Sequence, residues 1–275
     1  MVKSNLGMRL LTAAIAVPPL LLLLFKGPSW GFFLLVALVA GLAGIELFRM
    51  THPGDGVAQA IGVLSSLVVA VSLYVFGDDS RVLMSVLLVV PIVGMLVPLL
   101  RLGDMATAGL RMMASVAGPL YLGAPLAALS LLRRDCGPDG PGWVLLTLTF
   151  AWLADTGGYF FGRFLGKTKL YPAVSPKKTR AGFVGALVGA AAGALGAWAW
   201  YLPSIELAQV LPLAILAGGL GQLGDLVESL LKRSTGIKDS GSLVPGHGGI
   251  LDRIDALLVV APTVYLYARW TGIAS

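Results

Sequence analysis

Long apolar segments follow one another along almost the whole chain and set its fold class. A helix that crosses a lipid bilayer needs about 20 predominantly apolar residues. Nine stretches of this kind lie at approximately 9–25, 29–48, 57–76, 82–100, 112–132, 142–161, 181–202, 208–231 and 251–270. Charged residues make up only 12% of the 275 positions, against about 25% in soluble domains. The sequence therefore predicts an all-α polytopic membrane protein with about nine transmembrane helices.

The basic residues give this predicted bundle an orientation. With a cytoplasmic N-terminus, five of the twenty Lys and Arg residues fall outside, namely Lys26, Arg81, Arg133, Arg134 and Arg269, and the other fifteen fall in cytoplasmic segments. Cytoplasmic loops are enriched in Lys and Arg, so we predict that the N-terminus is cytoplasmic. The net charge of +6 then reflects topology and a phosphate-bearing substrate, and we expect no nucleic-acid partner.

The first apolar segment has a second interpretation. Lys3 and Arg9 precede it in the manner of a secretory signal peptide. Pro18 and Pro19 within the run, and the further spans that follow at once, favour an uncleaved first helix.

Polar residues are distributed unevenly along the chain. Apart from Glu46, the first five segments contain almost no ionisable groups, whereas two predicted cytoplasmic loops, 162–180 and 232–250, are basic. We therefore interpret residues 1–132 as scaffold helices and residues 133–275 as catalytic helices and loops of one membrane-embedded unit. The polar pocket is expected to open to the cytosol.

Carboxylates at membrane depth are costly and mark candidate functional sites. The candidates are Glu46, Asp155, Asp225, Glu228, Asp252 and Asp255. Asp225 and Glu228 share a helical face, as do Asp252 and Asp255, because each pair is three residues apart. Carboxylate oxygens suit Mg²⁺, which completes its shell with substrate phosphates. The alternative is salt bridging, for instance of Glu228 with Lys232 or of Asp252 with Arg253.

Two segments have the composition of phosphate-binding loops. Ser175-Pro-Lys-Lys-Thr179 precedes the seventh span, where a helix N-terminus also favours an anion. A basic segment beside a membrane also arises from topology or from binding of anionic lipid. Gly246-His-Gly-Gly249 allows the backbone to approach a ligand closely, although His247 is equally compatible with a structural turn.

Glycine recurs every four residues on the seventh span, at Gly185, Gly189 and Gly193. This spacing lets two helices approach closely. It predicts helix packing and not chemistry.

Four segments of the chain together resemble the motifs of a known enzyme family. The 27 residues from Ser229 to Asp255, SLLKRSTGIKDSGSLVPGHGGILDRID, resemble the signature of the phosphatidate cytidylyltransferase family, also called CDP-diacylglycerol synthases. The run DTGGYFFGR from Asp155 to Arg163, then Gly166-Lys167 and Ser175–Thr179, is also similar to that family. The resemblance covers residues 150–260, and the earlier spans match only in hydropathy.

The resemblance implies a reaction of CTP with phosphatidic acid that gives CDP-diacylglycerol and pyrophosphate and requires Mg²⁺, with room for a second cation. It implies that Asp225 and Asp252 are metal ligands, and that Asp155 and Asp255 belong to the same catalytic group. The implied substrate-binding residues are Lys167, Ser175, Lys177, Lys178, Thr179, Lys232, Arg233, Lys238, Asp239, His247, Gly248, Gly249 and Arg253. The expected setting is a bacterial cytoplasmic membrane, and a homodimer is compatible with the chain.

The chain departs from the family pattern at two places. Val244 stands where a larger aliphatic residue is expected, and this difference is conservative because both residues are aliphatic. Arg180-Ala181 stands where an acidic residue is expected before glycine, and this removes a carboxylate from that position.

Two other functions share some of these features. Transfer of a nucleotide from CTP to a different lipid phosphate, such as that of an ether lipid, would need the same polar residues. A transporter can also have acids inside the membrane, but the clustering of polar residues towards one side argues against alternating access.

Overall fold

The computed structural model describes residue 15, residues 17–241 and residues 248–274. The predicted span 9–25 therefore lies largely outside the described residues, and the predicted site residue His247 lies outside them too. Ten helices are present in the described part: α1 (Val17–Lys26), α2 (Ser29–Thr51), α3 (Gly56–Phe76), α4 (Ser80–Leu100), α5 (Met105–Asp135), α6 (Gly140–Leu165), α7 (Arg180–Trp200), α8 (Leu207–Ser234), α9 (Leu251–Ile254) and α10 (Leu257–Trp270). A short 3₁₀ turn, Gly137–Asp139, precedes α6, and two strands, β1 (Lys169–Tyr171) and β2 (Ser175–Thr179), lie between α6 and α7.

The long helices confirm the predicted class of fold. Within the described residues, seven helices, α2 to α8, are long and apolar enough to cross a membrane. Apolar side chains on α4, such as Leu88 and Leu99, are more than half exposed, as expected for a helix whose surface meets lipid. The chain is thus a polytopic, predominantly α-helical membrane protein. The total of nine spans stays a prediction.

Side chains at the helix starts explain several of the boundaries. The Asp55 carboxylate accepts a hydrogen bond from the Ala58 N–H at the start of α3 (3.1 Å), and Asp79 accepts one from the Arg81 N–H at the start of α4 (2.9 Å). A capping oxygen satisfies a backbone donor that has no partner inside the helix.

The described chain divides into two compact units. One lies within Met1–Ser130 and Ile237–Arg253, and the other within Leu131–Gly236 and Ile254–Ser275. In the first unit, the buried Phe48 ring fills the space beside Gly62 and Gly118, and Phe33 stacks on Tyr74 with ring centroids 4.0 Å apart. The predicted functional roles of residues 1–132 and 133–275 stay predictions.

In the second unit, α6 and α7 pack backbone against backbone. A Cβ added at Gly157 would collide with the Gly185 carbonyl oxygen, and one added at Gly189 would collide with the Leu153 carbonyl oxygen. Gly193 faces the Thr149 side chain in the same way. The predicted role of Gly185, Gly189 and Gly193 in helix packing is therefore confirmed.

The last predicted span, 251–270, is not one continuous helix. It consists of the four residues of α9 and the 14 residues of α10, with Asp255 and Ala256 between them. The Asp255 carboxylate accepts a hydrogen bond from the Ala256 N–H at 2.6 Å, so the side chain takes a donor that helical pairing would otherwise use. At 1.5 Å per residue, α10 is about 21 Å long, which is short of the roughly 30 Å hydrocarbon core.

Candidate active site

A pocket of about 380 Å³ lies within the second unit, among α6, α7, α8 and β2. It contains five of the predicted site residues, namely Asp155, Lys177, Lys178, Thr179 and Asp225. The remaining lining residues are Gly158, Tyr159, Gly162, Arg163, Gly182, Phe183 and Gln222. The structure therefore brings together residues that are up to 70 positions apart in sequence.

A β-hairpin delivers the two lysines to this pocket. The sequence predicts a loop at 162–180, but Lys169 pairs with Thr179 and Tyr171 with Ser175 in an antiparallel ladder. The Arg180 N–H continues the connection by donating to the Thr168 carbonyl at 3.0 Å. Strands of three and five residues are too short for a hydropathy pattern to reveal, and Pro176 lowers the propensity of β2 further.

The N-terminus of α7 forms another side of the pocket. Thr179 is its N-cap residue and is buried, and its hydroxyl accepts a hydrogen bond from the Gly182 N–H at 3.0 Å. Gly182 leaves no room for a side chain between α6 and α7 here, since a Cβ on it would lie 2.9 Å from the Gly158 carbonyl oxygen. Close packing thus brings backbone and the positive end of the α7 dipole to the pocket.

Lys178 and Asp225 form an ion pair inside the pocket. The Lys178 ammonium lies 2.8 Å from the Asp225 Oδ2 and also donates to the Gln222 carbonyl at 3.0 Å. Their side chains are 15% and 31% exposed, so the pair is shielded but reachable from solvent. The Ser229 hydroxyl donates to the Asp225 Oδ1 at 3.3 Å. The ion pair therefore links β2 to the helix α8.

The second pocket carboxylate, Asp155, is held by a residue that the sequence analysis missed. The Gln222 Nε2 donates to the Asp155 Oδ1 at 3.1 Å. Gln222 is a polar residue in an apolar helix three positions before Asp225, so it shares a helical face with Asp225, and that spacing was a usable signal. Asp255 lies in the same unit, near enough to Asp225 and Asp155 for like-charge repulsion between them.

The donor set of the pocket is compatible with Mg²⁺. Within the described residues, no group of three or more His, Cys, Asp or Glu side chains is placed to hold a metal ion. Mg²⁺ commonly takes only one or two protein carboxylates and fills its other positions with water and phosphate oxygens. Asp155 and Asp225 line the same cavity and supply ligands of that type and number.

Asp252 lies in the first unit and has a different environment. Its Oδ2 accepts hydrogen bonds from the Ser240 N–H at 3.1 Å and the Gly249 N–H at 3.0 Å. Gly248 beside it has φ of +86°, a backbone conformation that suits glycine. Lys238, Asp239 and Arg253 of the same unit are exposed. The predicted role of Asp252 as a metal ligand stays a prediction.

The other predicted residues of the second unit do not line the pocket. Lys167 and Arg233 are exposed, and Ser175 begins β2. Lys232 lies 2.6 Å from the fully buried Glu228, which confirms the salt bridge that the sequence analysis held open for Glu228. A structural role therefore accounts for Glu228.

The long apolar helices and the pocket define a polytopic membrane protein with ammonium groups, carboxylates and a helix N-terminus gathered in one cavity. The chain belongs to the cytidylyltransferase family, whose sequence profile matches residues 7–271.

Individual relatives carry a more specific name. The chain is 47% identical over 124 residues to a phosphatidate cytidylyltransferase of Staphylococcus saprophyticus, covering 45% of this chain and 48% of the relative. It is 41% identical over 158 residues to one of Brucella suis, covering 55% of each chain, and 41% identical over 172 residues to one of Synechocystis, covering 61% of this chain and 55% of the relative. The chain thus spans about half the length of these curated relatives.

Proposed function

We propose that this protein is a phosphatidate cytidylyltransferase that transfers CMP from CTP to phosphatidic acid and releases pyrophosphate. The observation that carries the proposal is the pocket in which Lys177, Lys178 and the α7 N-terminus face Asp155 and Asp225. Membership of the cytidylyltransferase family and the names of the relatives support the choice of substrates.

In the proposed reaction, a phosphate oxygen of phosphatidic acid attacks the α-phosphorus of CTP. A new P–O bond forms, the bond between the α-phosphorus and its bridging oxygen breaks, and pyrophosphate leaves with that oxygen. This displacement needs no covalent bond to the protein, so positioning and charge neutralisation are the main contributions of the chain. Lys177, Lys178 and the backbone N–H groups at the start of α7 bind the phosphates and the charge of the leaving group.

We expect Asp225 and Asp252 to be the Mg²⁺ ligands, as the family resemblance implies. Asp155, which lines the pocket together with Asp225, would be a further oxygen donor, and Asp255 an orienting group. When bound, the ion supplies positive charge to the phosphate oxygens. Lys178 is paired with Asp225 in the structure, and a phosphate in the pocket would offer its ammonium group a second anionic partner.

The proposed membrane arrangement has nine spans, a cytoplasmic N-terminus and a pocket open to the cytosol, in a bacterial cytoplasmic membrane. Trp30, Trp200 and Trp270 are 61%, 87% and 88% exposed. Each stands at the end of a helix assigned to the outer side, and tryptophan is enriched at membrane interfaces. Tyr159 lines the pocket and is exposed, and we expect a lipid to reach the lysines past this side chain.

A direct assay tests the reaction. Protein purified in detergent and reconstituted in liposomes is expected to convert CTP and phosphatidic acid into a CDP-lipid and pyrophosphate in equal amounts with Mg²⁺, and into neither with a chelator. Product only with an ether-lipid phosphate would move the assignment to another lipid acceptor. Absence of both CTP binding and product would contradict the proposal and favour the transporter interpretation.

Cysteine labelling tests the orientation. Ser204 and Ser234 are both exposed, and the proposed topology places Ser204 outside and Ser234 in the cytosol. In intact cells, a membrane-impermeant maleimide is expected to label Ser204→Cys and to spare Ser234→Cys, with both labelled after the cells are opened. The reverse pattern would contradict the topology.

The native cysteine provides little background in that experiment. Cys136 is 6% exposed, and burial, assisted by the negative charges of Asp135 and Asp139, raises the pKa of its thiol to about 12. Maleimides react with the thiolate. Because the folded-state pKa is raised, Cys136 stays protonated at neutral pH and becomes reactive only as the pH approaches 12.

A further inference from the structure

Glu46 is a buried carboxylate of the first unit, and the proposed reaction assigns it no role. Glu46 lies in α2, is 3% exposed, and accepts three hydrogen bonds from a segment about 200 residues further along the chain. The Ile250 N–H donates to Oε1 at 3.0 Å, and the Leu251 N–H donates to Oε2 at 2.9 Å. The Ser240 hydroxyl donates to Oε2 at 2.9 Å. Both carboxylate oxygens therefore bind that segment.

Two glycines let the backbone reach the Glu46 carboxylate. A Cβ added at Gly241 would collide with the Glu46 Oε1, and one added at Gly249 would collide with both the Glu46 carboxylate and the Ser240 hydroxyl. The Glu46 carboxylate cannot move aside to make room for a Cβ, because it is buried and held by three hydrogen bonds. The presence of glycine at both positions is thus explained by the contact with Glu46.

The residues that Glu46 binds also surround Asp252. Ser240 gives its hydroxyl to Glu46 and its backbone N–H to the Asp252 Oδ2. Gly249 gives its N–H to the same Asp252 oxygen, while the next two residues give theirs to Glu46. Glu46 and Asp252 therefore hold the same two stretches of backbone, so a displacement at Glu46 would act on the backbone donors that bind the Asp252 carboxylate.

We propose that Glu46 is a positioning residue, which fixes the backbone around Asp252 and so holds the Asp252 carboxylate in one orientation for the metal-dependent step. This inference rests on the proposed function and on the predicted role of Asp252 as a metal ligand. A buried carboxylate inside a membrane helix is costly, and an apolar side chain would be enough to pack α2. The carboxylate supplies what an apolar residue lacks, namely two acceptor oxygens that fix the direction of two adjacent N–H groups.

Glu46→Gln is the sharpest test because it keeps the shape of the side chain and replaces one acceptor oxygen with an NH₂ donor. Either orientation of the amide places that donor against a backbone N–H. Loss of an outer partner of a metal ligand typically costs about 10- to 100-fold in metal affinity or activity. Glu46 acts on Asp252 only through the shared backbone, so we expect the Mg²⁺ concentration for half-maximal activity to rise by about tenfold, the lower end of that range. Glu206→Gln is the matched control, since Glu206 is exposed and contacts Gln209.

A second measurement does not depend on catalysis. Hydrogen–deuterium exchange at the amides of Ile250 and Leu251 is expected to be faster in Glu46→Gln than in the wild type, and unchanged in Glu206→Gln. Ser240→Ala removes one of the three hydrogen bonds and leaves the Ser240 N–H for Asp252. It should shift the Mg²⁺ requirement in the same direction by a smaller factor, and it carries the test if Glu46→Gln does not fold.

The outcomes separate this inference from the proposed function. A wild-type protein that makes no CDP-lipid refutes the proposed function, whereas the exchange experiment still reports on the contact. Faster exchange with an unchanged Mg²⁺ requirement would show that Glu46 only stabilises the segment, and would overturn the inference. Unchanged exchange in a folded Glu46→Gln protein would overturn it as well.

Discussion

Asp225→Asn is expected to lower the rate of CDP-lipid formation by about 100- to 1,000-fold, because a site that stabilises charge in the transition state loses factors of this size when one key group is changed. The substitution preserves the size of the side chain and removes its negative charge. In the proposed site, that charge binds the cation that neutralises the phosphates. The rate is measured in liposomes at saturating CTP and Mg²⁺, so that weaker binding of either does not account for the loss.

The same substitution removes the partner of Lys178, and this second effect has to be separated from the first. Breaking a fully buried ion pair costs about 3–5 kcal/mol, and breaking an exposed one costs about 0–1 kcal/mol. The partial exposure of Lys178 and Asp225 places the expected loss of stability between these limits. Asp225→Asn should therefore melt at a lower temperature than the wild type while it remains folded.

The double variant Asp225→Asn/Lys178→Met distinguishes the two effects. Removing both charges should recover part of the lost thermal stability, because no uncompensated ammonium remains. It should not recover activity, because both the metal-binding carboxylate and a phosphate-binding lysine are then absent. Return of activity in the double variant would mean that Asp225 serves only to pair with Lys178, and would contradict the metal assignment. Asp79→Asn is the control, since Asp79 caps α4 on a partly exposed site and Asn caps equally well.

Hydropathy predicted the long helices closely because the bilayer imposes a length and a composition on each of them. The predicted segments 57–76 and 181–202 correspond to Gly56–Phe76 and Arg180–Trp200. Hydropathy predicts that the fifth span starts at residue 112, whereas the helix α5 begins at Met105. Hydropathy reports contact with lipid, and a helix can extend beyond the apolar window with polar residues such as Arg111.

The features that hydropathy did not predict depend on contacts between distant parts of the chain. The sequence identified Lys178 and Asp225 separately, but their pairing follows from the β-hairpin between α6 and α7, which has no hydropathy pattern. Glu46 was recognised as an unusual acid, yet its partners lie about 200 residues away and no local spacing connects them. The motif resemblance located residues of the site, and the structure was needed to divide them between a pocket in one unit and a hydrogen-bonded segment in the other.

Gly189→Leu is expected to prevent α6 and α7 from packing closely and to cause a large loss of stability. Overpacking a core with extra methylene groups usually costs about 1–3 kcal/mol. Here a Cβ meets the Leu153 carbonyl oxygen, which belongs to the backbone of α6 and cannot turn aside, so the helices must separate. Because α6 carries Asp155 and α7 begins at the pocket, activity should fall together with stability.

The same helix offers a matched control. Gly196 also lies in α7, and a Cβ added there has no atom within 4 Å. Gly196→Leu adds the same side chain to a lipid-exposed position and replaces a residue of low helix propensity, so its melting temperature should equal or slightly exceed that of the wild type. Thermal unfolding of the three proteins in one detergent, followed by size-exclusion chromatography, measures the difference. Equal stability of Gly189→Leu and Gly196→Leu would contradict the backbone contact between α6 and α7, and the placement of Asp155 beside the α7 N-terminus would lose its support.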